Sequence, residues 1–347
     1  MSTRNTIPVL SGIYLEAVGQ ELLLKATDLE LAIHKRIPAD VLQEGAVVLP
    51  GRYLLELVRR LPPQELEVSL DPRNSTTTIS SADGEYTMHG FPADQFPADS
   101  NEPGLPGLMA SSRALRTLLR EVAFATGHDE SRPYITGVAF SVKGETATAT
   151  AADGAVLATG RVQVENPGDM AFAVILPGRS IQELGRLLSE HDHAPCEICP
   201  SGSQFTFRLG NLHLVTRLLS GVFPDWLRLL PTEYPTVVRV ARERLLQACE
   251  RAALLAPKGT VGLEARPDGL HILASTPEVG RLAERVPAEC SGPGFTVPLN
   301  ADYLLAGLRA GGSVDIWLEI ANPRSAVRFR SVQSPDSFFV VLPLLRF

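Results

Sequence analysis

Leu49-Pro50-Gly51-Arg52-Tyr53-Leu54-Leu55-Glu56-Leu57-Val58-Arg59-Arg60-Leu61 returns, changed but on the same plan, as Leu176-Pro177-Gly178-Arg179-Ser180-Ile181-Gln182-Glu183-Leu184-Gly185-Arg186-Leu187-Leu188. In both copies a proline stands just before a run of apolar side chains at helical spacing, which predicts an amphipathic helix with a fixed start. A looser third copy begins at Val297-Pro298-Leu299-Asn300, where Asn300 can cap a helix through Ala301-Asp302-Tyr303-Leu304-Leu305. Pro50 to Pro177 is a step of 127 residues and Pro177 to Pro298 one of 121. Self-similarity at that period predicts three related domains in tandem.

A second landmark lies upstream of each helix. Ala26-Thr27-Asp28-Leu29-Glu30 matches Ala151-Ala152-Asp153-Gly154-Ala155, and Ala274-Ser275-Thr276-Pro277-Glu278 keeps the position and general character only. Between the landmarks the chain alternates apolar and polar residues as short strands do, at Gly137 to Val142, Thr146 to Ala151 and Phe205 to Leu209. Further helices are predicted near Ser111 to Ala125 and Ala241 to Leu255, opening the second and third repeats. The first repeat opens instead at Thr6 to Gly12, which aligns with Arg132 to Gly137, so one strand and one helix have no counterpart at its front. Either the natural start lies upstream or the first domain is abridged. Pro- and Gly-rich stretches at Pro97 to Pro106 and Pro231 to Pro235 place the domains at 1–108, 109–234 and 235–347.

Composition limits what such a chain does. With 44% hydrophobic and 20% charged residues it is a folding chain, without a signal-peptide pattern or a membrane-length apolar run, so the cytoplasm is expected. A formal charge of -7 disfavours general adhesion to nucleic acid, so any contact with phosphates must be local. Local cations are present: Arg113, Arg116 and Arg120 share one face of the helix that opens repeat two, opposite Leu115, Leu118, Leu119 and Val122. Arg52 with Arg59, Arg179 with Arg186, and Arg244 with Arg251 each recur at seven-residue spacing. Arginines on exposed helices are also common in proteins that touch no nucleic acid.

Four cysteines are too few and too irregular for a disulfide framework. His191, His193, Cys196 and Cys199 form the one cluster with zinc chemistry, but a strand through Cys196 to Cys199 is a poor chelating knuckle, and no metal is expected. No phosphate loop, dinucleotide fingerprint or nucleophile-base pair is evident, so neither a cofactor nor catalysis is expected.

Several segments stand together in one order: Asn5 to Ile13 (NTIPVLSGI), Ala26 to Glu30, Leu49 to Arg52, Phe91 to Pro97 (FPADQFP), Arg132 to Gly137 (RPYITG), Phe223 to Pro231 (FPDWLRLLP) and Val340 to Pro343. In that order they resemble the bacterial DNA polymerase III beta subunit family, the beta sliding clamps, over almost the whole chain. The resemblance implies an α+β clamp fold: three domains, each of two helices on small antiparallel sheets, closed head to tail into a homodimeric ring. It implies a non-catalytic processivity factor that encircles double-stranded DNA without reading sequence and tethers the polymerase. Arg52, Arg59, Arg113, Arg116, Arg120, Arg132, Tyr134, Arg179, Arg186, Arg244 and Arg251 would face the DNA.

It further implies that short peptide motifs of the DNA polymerase III catalytic subunit and the clamp loader bind a groove between domains two and three. The groove positions would be Ile135, Ala152, Gly154, Leu157, Pro224, Arg228, Leu229, Val340, Val341, Leu342, Pro343 and Leu344, although Leu157, Leu229 and Val341 taken singly read more readily as core. The family usually has Thr-Asp-Gly or Thr-Asp-Ser followed by His-Arg-Leu-Ala there, where this chain has Ala152-Asp153-Gly154-Ala155-Val156-Leu157-Ala158. A more apolar groove with fewer donors is expected. Tyr86 and Met88 on an edge strand would meet Leu254 and Leu255 of a second copy, although ordinary burial within each domain accounts for these four equally well. Two alternatives stay open from sequence: a monomeric clamp-like scaffold for protein partners, and zinc binding by the His191 to Cys199 cluster.

Overall fold

A computed structural model describes residues 7–98, 107–191, 194–255, 259–277 and 279–344. The first repeat contributes β1 (Gly12–Val18), β2 (Glu21–Thr27), β3 (Leu31–Pro38), β4 (Gly45–Pro50), α1 (Gly51–Arg60), β5 (Glu67–Asp71), β6 (Thr76–Ser81), β7 (Gly84–His89) and β8 (Phe91–Pro92). The second contributes β9 (Leu108–Ser111), α2 (Ser112–Ala123), β10 (Gly137–Lys143), β11 (Thr146–Ala152), β12 (Val156–Gln163), β13 (Phe172–Pro177), α3 (Gly178–Glu190), β14 (Pro195–Ser201), β15 (Gln204–Leu209) and β16 (Leu212–Arg217). The third contributes β17 (Thr236–Ala241), α4 (Arg242–Ala253), β18 (Thr260–Arg266), β19 (Gly269–Thr276), β20 (Gly280–Val286), β21 (Ala288–Ser291), β22 (Phe295–Asn300), α5 (Ala301–Ala310), β23 (Asp315–Ile320), β24 (Val327–Ser331) and β25 (Phe338–Val341).

The helices expected from the repeat are all there, and their starts follow from local chemistry. Pro50 and Pro177 hold the N-cap positions of α1 and α3, with fixed φ values of -56° in both. Asn300 caps α5 by accepting from the amides of Asp302 and Tyr303, and Ser111 caps α2 by accepting from Ala114. Among the described residues the first repeat has one α-helix, against two in each of the others.

The chain divides into two compact units. One joins the described residues of Met1–Gly107 to Ala194–Arg217, so the last three strands of the second repeat belong to it. Its larger sheet runs β8-β4-β1-β2-β3-β16-β15-β14, and β5-β6-β7 form a separate antiparallel ribbon. β3 and β16 are the seam, paired antiparallel from Leu31↔Thr216 to Lys35↔Leu212. The core here consists of Leu15, Val47, Leu49, Leu54 and Ile79, with Val9, Leu10, Val48 and Phe96 in a second cluster.

The other unit holds Leu108–His193 with Leu218–Phe347. A sheet of order β13-β10-β11-β12-β25-β24-β23-β17-β21 runs through it, with a second sheet β20-β19-β18-β22. α2 packs on α3 and α4 on α5, burying Leu115, Leu118, Leu119, Leu184, Leu188, Leu245 and Leu304. At roughly 25 cal/mol per Å² of apolar surface, each such leucine contributes about 2 kcal/mol relative to exposure. Within this unit, β12 and β25 join the second and third repeats, through Val156↔Val341 and Leu157↔Val340.

Candidate functional site

The β12–β25 seam carries an apolar cluster. Ala152, Leu157, Ala326 and Val340 form its buried floor, and Phe223, Trp226, Leu230 and Phe338 pack against them half-buried. The loop before β12 is shaped by Asp153, whose Oδ1 accepts from the amides of Ala155 and Val156 at 2.8 and 2.9 Å. Gly154 occupies the apex at φ 101°, a conformation that favours glycine. The Tyr303 hydroxyl donates to Asp153 from α5, and that bond, followed by burial, pushes the phenol up to about 12. Leu342 continues the seam by donating its amide to Ala155 O at 2.9 Å.

The expected groove residues divide by this geometry. Ala152, Leu157 and Val340 lie in the floor, while Ile135 and Val341 are fully packed and act as support. Gly154, Arg228 and Leu342 are exposed, Pro224 and Pro343 are half-buried, Leu344 is at the edge of exposure, and Leu229 is 75% exposed. Arg228 pairs with Asp225 at 2.6 Å. Of the positions where the family usually has donors, Val156 is buried and Ala155 half-buried, so an apolar floor is what the substitutions leave. Ala326 in the floor and Phe223, Trp226, Leu230 and Phe338 packed against it are additional members of this cluster. The Phe-Pro-Asp-Trp segment already held Phe223 and Trp226, but Ala326, just before β24, and Phe338, which opens β25, sit where no local pattern gives their position away.

The cationic helices are likewise sorted. Arg52, Arg59, Arg113 and Arg244 are exposed and make no ion pair among the described residues. Arg186 pairs with Glu183 at 2.9 Å and Arg132 with Asp129 at 2.8 Å, both on the surface. Arg116 and Tyr134 are half-buried, and Arg179 is exposed. Arg120 is engaged inside its own unit, donating Nε to Ala310 O at 3.1 Å at the carboxyl end of α5, where a cation is favoured. Arg251 grips Glu284 of β20 with both donors of its guanidinium fork. Arg120 stays exposed and the Ala310 carbonyl does not neutralise it, whereas Arg251 is balanced by the Glu284 carboxylate.

β7 and β20 each pair on one side only and so are sheet edges. On β7, Tyr86 is exposed and Met88 half-buried against the core; at the end of α4, Leu254 is 84% exposed and Leu255 half-buried. The zinc alternative loses its donors: Cys196 and Cys199 are buried, and burial raises their thiols to about 12 and about 11. Three residues apart on β14, they point to opposite faces. His193 lies outside the described residues, and His191 ends α3. No helix of the described residues is long and apolar enough to cross a membrane.

Three repeats of helices on antiparallel sheets, joined through edge strands into continuous sheets, define a DNA-clamp fold. The same arrangement is found in the DNA polymerase sliding clamp of Bacillus subtilis, with a TM-score of 0.94 at 27% identity over 100% of this chain and 94% of that one. The sliding clamp of Pseudomonas aeruginosa gives 0.91 at 28% identity, over 99% and 94%. The beta sliding clamp of Staphylococcus epidermidis is 29% identical across 92% of this chain and 87% of its own. Family profiles for the N-terminal, central and C-terminal domains of the DNA polymerase III beta subunit match residues 1–100, 110–225 and 227–345. The chain belongs to the DNA polymerase III beta subunit family.

Proposed function

We propose that this protein is a sliding clamp: two copies close head to tail around duplex DNA and tether a polymerase by a short peptide. The observation that carries this reading is the clamp fold itself, matched over the whole chain in solved sliding clamps. The exposed Arg52, Arg59, Arg113 and Arg244, without an ion pair among the described residues, lie on helices and support weak, sequence-independent attraction to phosphates, while the protein as a whole is acidic. Topology, not affinity, supplies retention.

Ring closure needs a heterologous contact, and the edge strand β7 with Tyr86 and Met88 is offered to the region of Leu254 and Leu255 on the second copy. The floor of Ala152, Leu157 and Val340 takes apolar peptide side chains, as apolar grooves with few polar groups do. The clamp does no chemistry itself; the polymerase and the loader that opens the ring are its protein partners, and the cytoplasm is where this reading places it. Sedimentation of the chain should give a mass near twice 37.4 kDa. Protein loaded on a nicked circular plasmid should stay bound in high salt and be lost when the plasmid is linearised. Equal loss from circle and linear DNA would overturn the ring reading.

A further inference from the structure

The β3–β16 seam repeats the geometry of the β12–β25 seam. Asp28 Oδ1 accepts from the amides of Glu30 and Leu31 at 3.1 and 2.9 Å, as Asp153 Oδ1, one repeat further on, accepts from those of Ala155 and Val156. Leu29 has φ 75° where Gly154 has 101°, and Asp28 N donates to Leu31 O at 3.1 Å as Asp153 N does to Val156 O. The strand registers then match residue for residue. Ala32 faces Val215 as Leu157 faces Val340, His213 takes the place of Phe338, and Gln204 and Arg217 take those of Ala326 and Leu342. Phe96-Pro97 corresponds to Phe223-Pro224.

Over this first seam lies a concavity of about 520 Å³, bordered by Thr27, Leu29, Phe96, Gln204, Thr206 and Arg217 among others. Its chemistry differs from that of its twin. Two arginines line it against one glutamate, Glu30; Arg208 is met by Glu197 at 3.3 Å, whereas the exposed Arg217 makes no ion pair among the described residues. Leu29, 47% exposed, and Phe96 and Val215 supply apolar surface beside those donors.

We propose that this concavity is a second peptide site, for an extended segment of a partner protein in which an acidic side chain meets Arg217 and an apolar one lies against Leu29 and Phe96. The inference rests on reading the β12–β25 seam as a peptide groove. An arginine standing where that groove has exposed Leu342 converts an apolar contact into a charge-assisted one, so the two sites select different peptides.

The test uses the full chain and a labelled, N-acetylated and C-amidated pentapeptide of alternating leucine and glutamate, with a glutamine-for-glutamate version as control. Amide shifts should gather on Leu29 to Leu31 and on Gln204 to Arg217. Arg217→Glu, at an exposed position, should weaken binding about tenfold or more, the loss expected for one charge-assisted hydrogen bond. Thr206→Trp, which fills the concavity, should do the same, and Leu342→Asp should leave the acidic peptide unaffected. Shifts confined to the β12–β25 seam, no binding, or equal binding of the glutamine version would overturn the proposal. Retention on circular DNA, measured on the same variants, reports separately on the clamp reading, since none of the three substitutions touches the ring-closing edges.

Discussion

α1 and α3 are introduced by the same four residues, Leu-Pro-Gly-Arg, yet α3 buries six of its side chains or glycines, among them Ile181, Leu184, Leu187 and Leu188, whereas α1 buries only Gly51 and Leu54. Tyr53, Leu55 and Val58 of α1 are 68%, 37% and 50% exposed. Both sequences are amphipathic; the difference is that α3 packs on α2, while within its own unit α1 packs on the strands β1 and β4. An apolar stripe states what a helix can bury, and only the neighbouring element decides what it does bury.

The largest test of that contrast is truncation. Leu184→Ala, at a fully buried site, should cost about 2–5 kcal/mol in chemical denaturation, while Val58→Ala should stay within about 0.5 kcal/mol. Native-state hydrogen exchange should agree, with the slowest amides in α2, α3 and their sheet and faster exchange in α1. Slowest exchange in the first repeat would break the comparison outright.

Glycines sharpen it. A Cβ on Gly307 of α5 would lie 2.5 Å from the Phe339 ring, which stacks on Phe329 and cannot retreat, so Gly307→Ala should cost about 1–3 kcal/mol. Gly185 of α3 has open space at that position, and Gly185→Ala should raise stability by about 0.5–1 kcal/mol through helix propensity.

The smallest effects are electrostatic and have opposite signs in the two units. Burial raises the Glu121 carboxyl above its ordinary range, against the lowering effects of Ser337, Gly312 and Arg120. The protonated form is therefore the one the fold favours: this contribution is complete below pH 4.5 and is lost as pH rises through the raised value. Glu121→Gln should remove that decline and stabilise the protein near neutrality, read as a higher melting temperature at pH 7 than at pH 4 relative to wild type. His213 is lowered, first by burial and then by Arg208 and Arg36, so its contribution is present above pH 6.5 and is lost as pH falls through the depressed value. His213→Gln should flatten the acid side of the stability curve.

Much of this was legible in residue patterns because the cause was local. Pro50 and Pro177 mark helix starts, Asn300 caps, and Asp28 and Asp153 bend their own loops by bonding amides two and three residues on. What escaped is non-local. Arg120 and Arg251 have the spacing of a cationic face, but their partners Ala310 and Glu284 are 190 and 33 residues away. Likewise the reach of β14 to β16 into the sheet of the first repeat depends on β3, and nothing in Ala194 to Arg217 announces that partner.

The seam between β12 and β25 has a consequence in time. β12 is synthesised long before β25, and the floor of the apolar groove needs both Leu157 and Val340. At about 5–20 residues per second, a nascent chain carries a finished β3–β16 seam for several seconds before Val340 leaves the ribosome. During that interval the residues around the first concavity are all present, while the apolar cluster that needs Val340 is still incomplete.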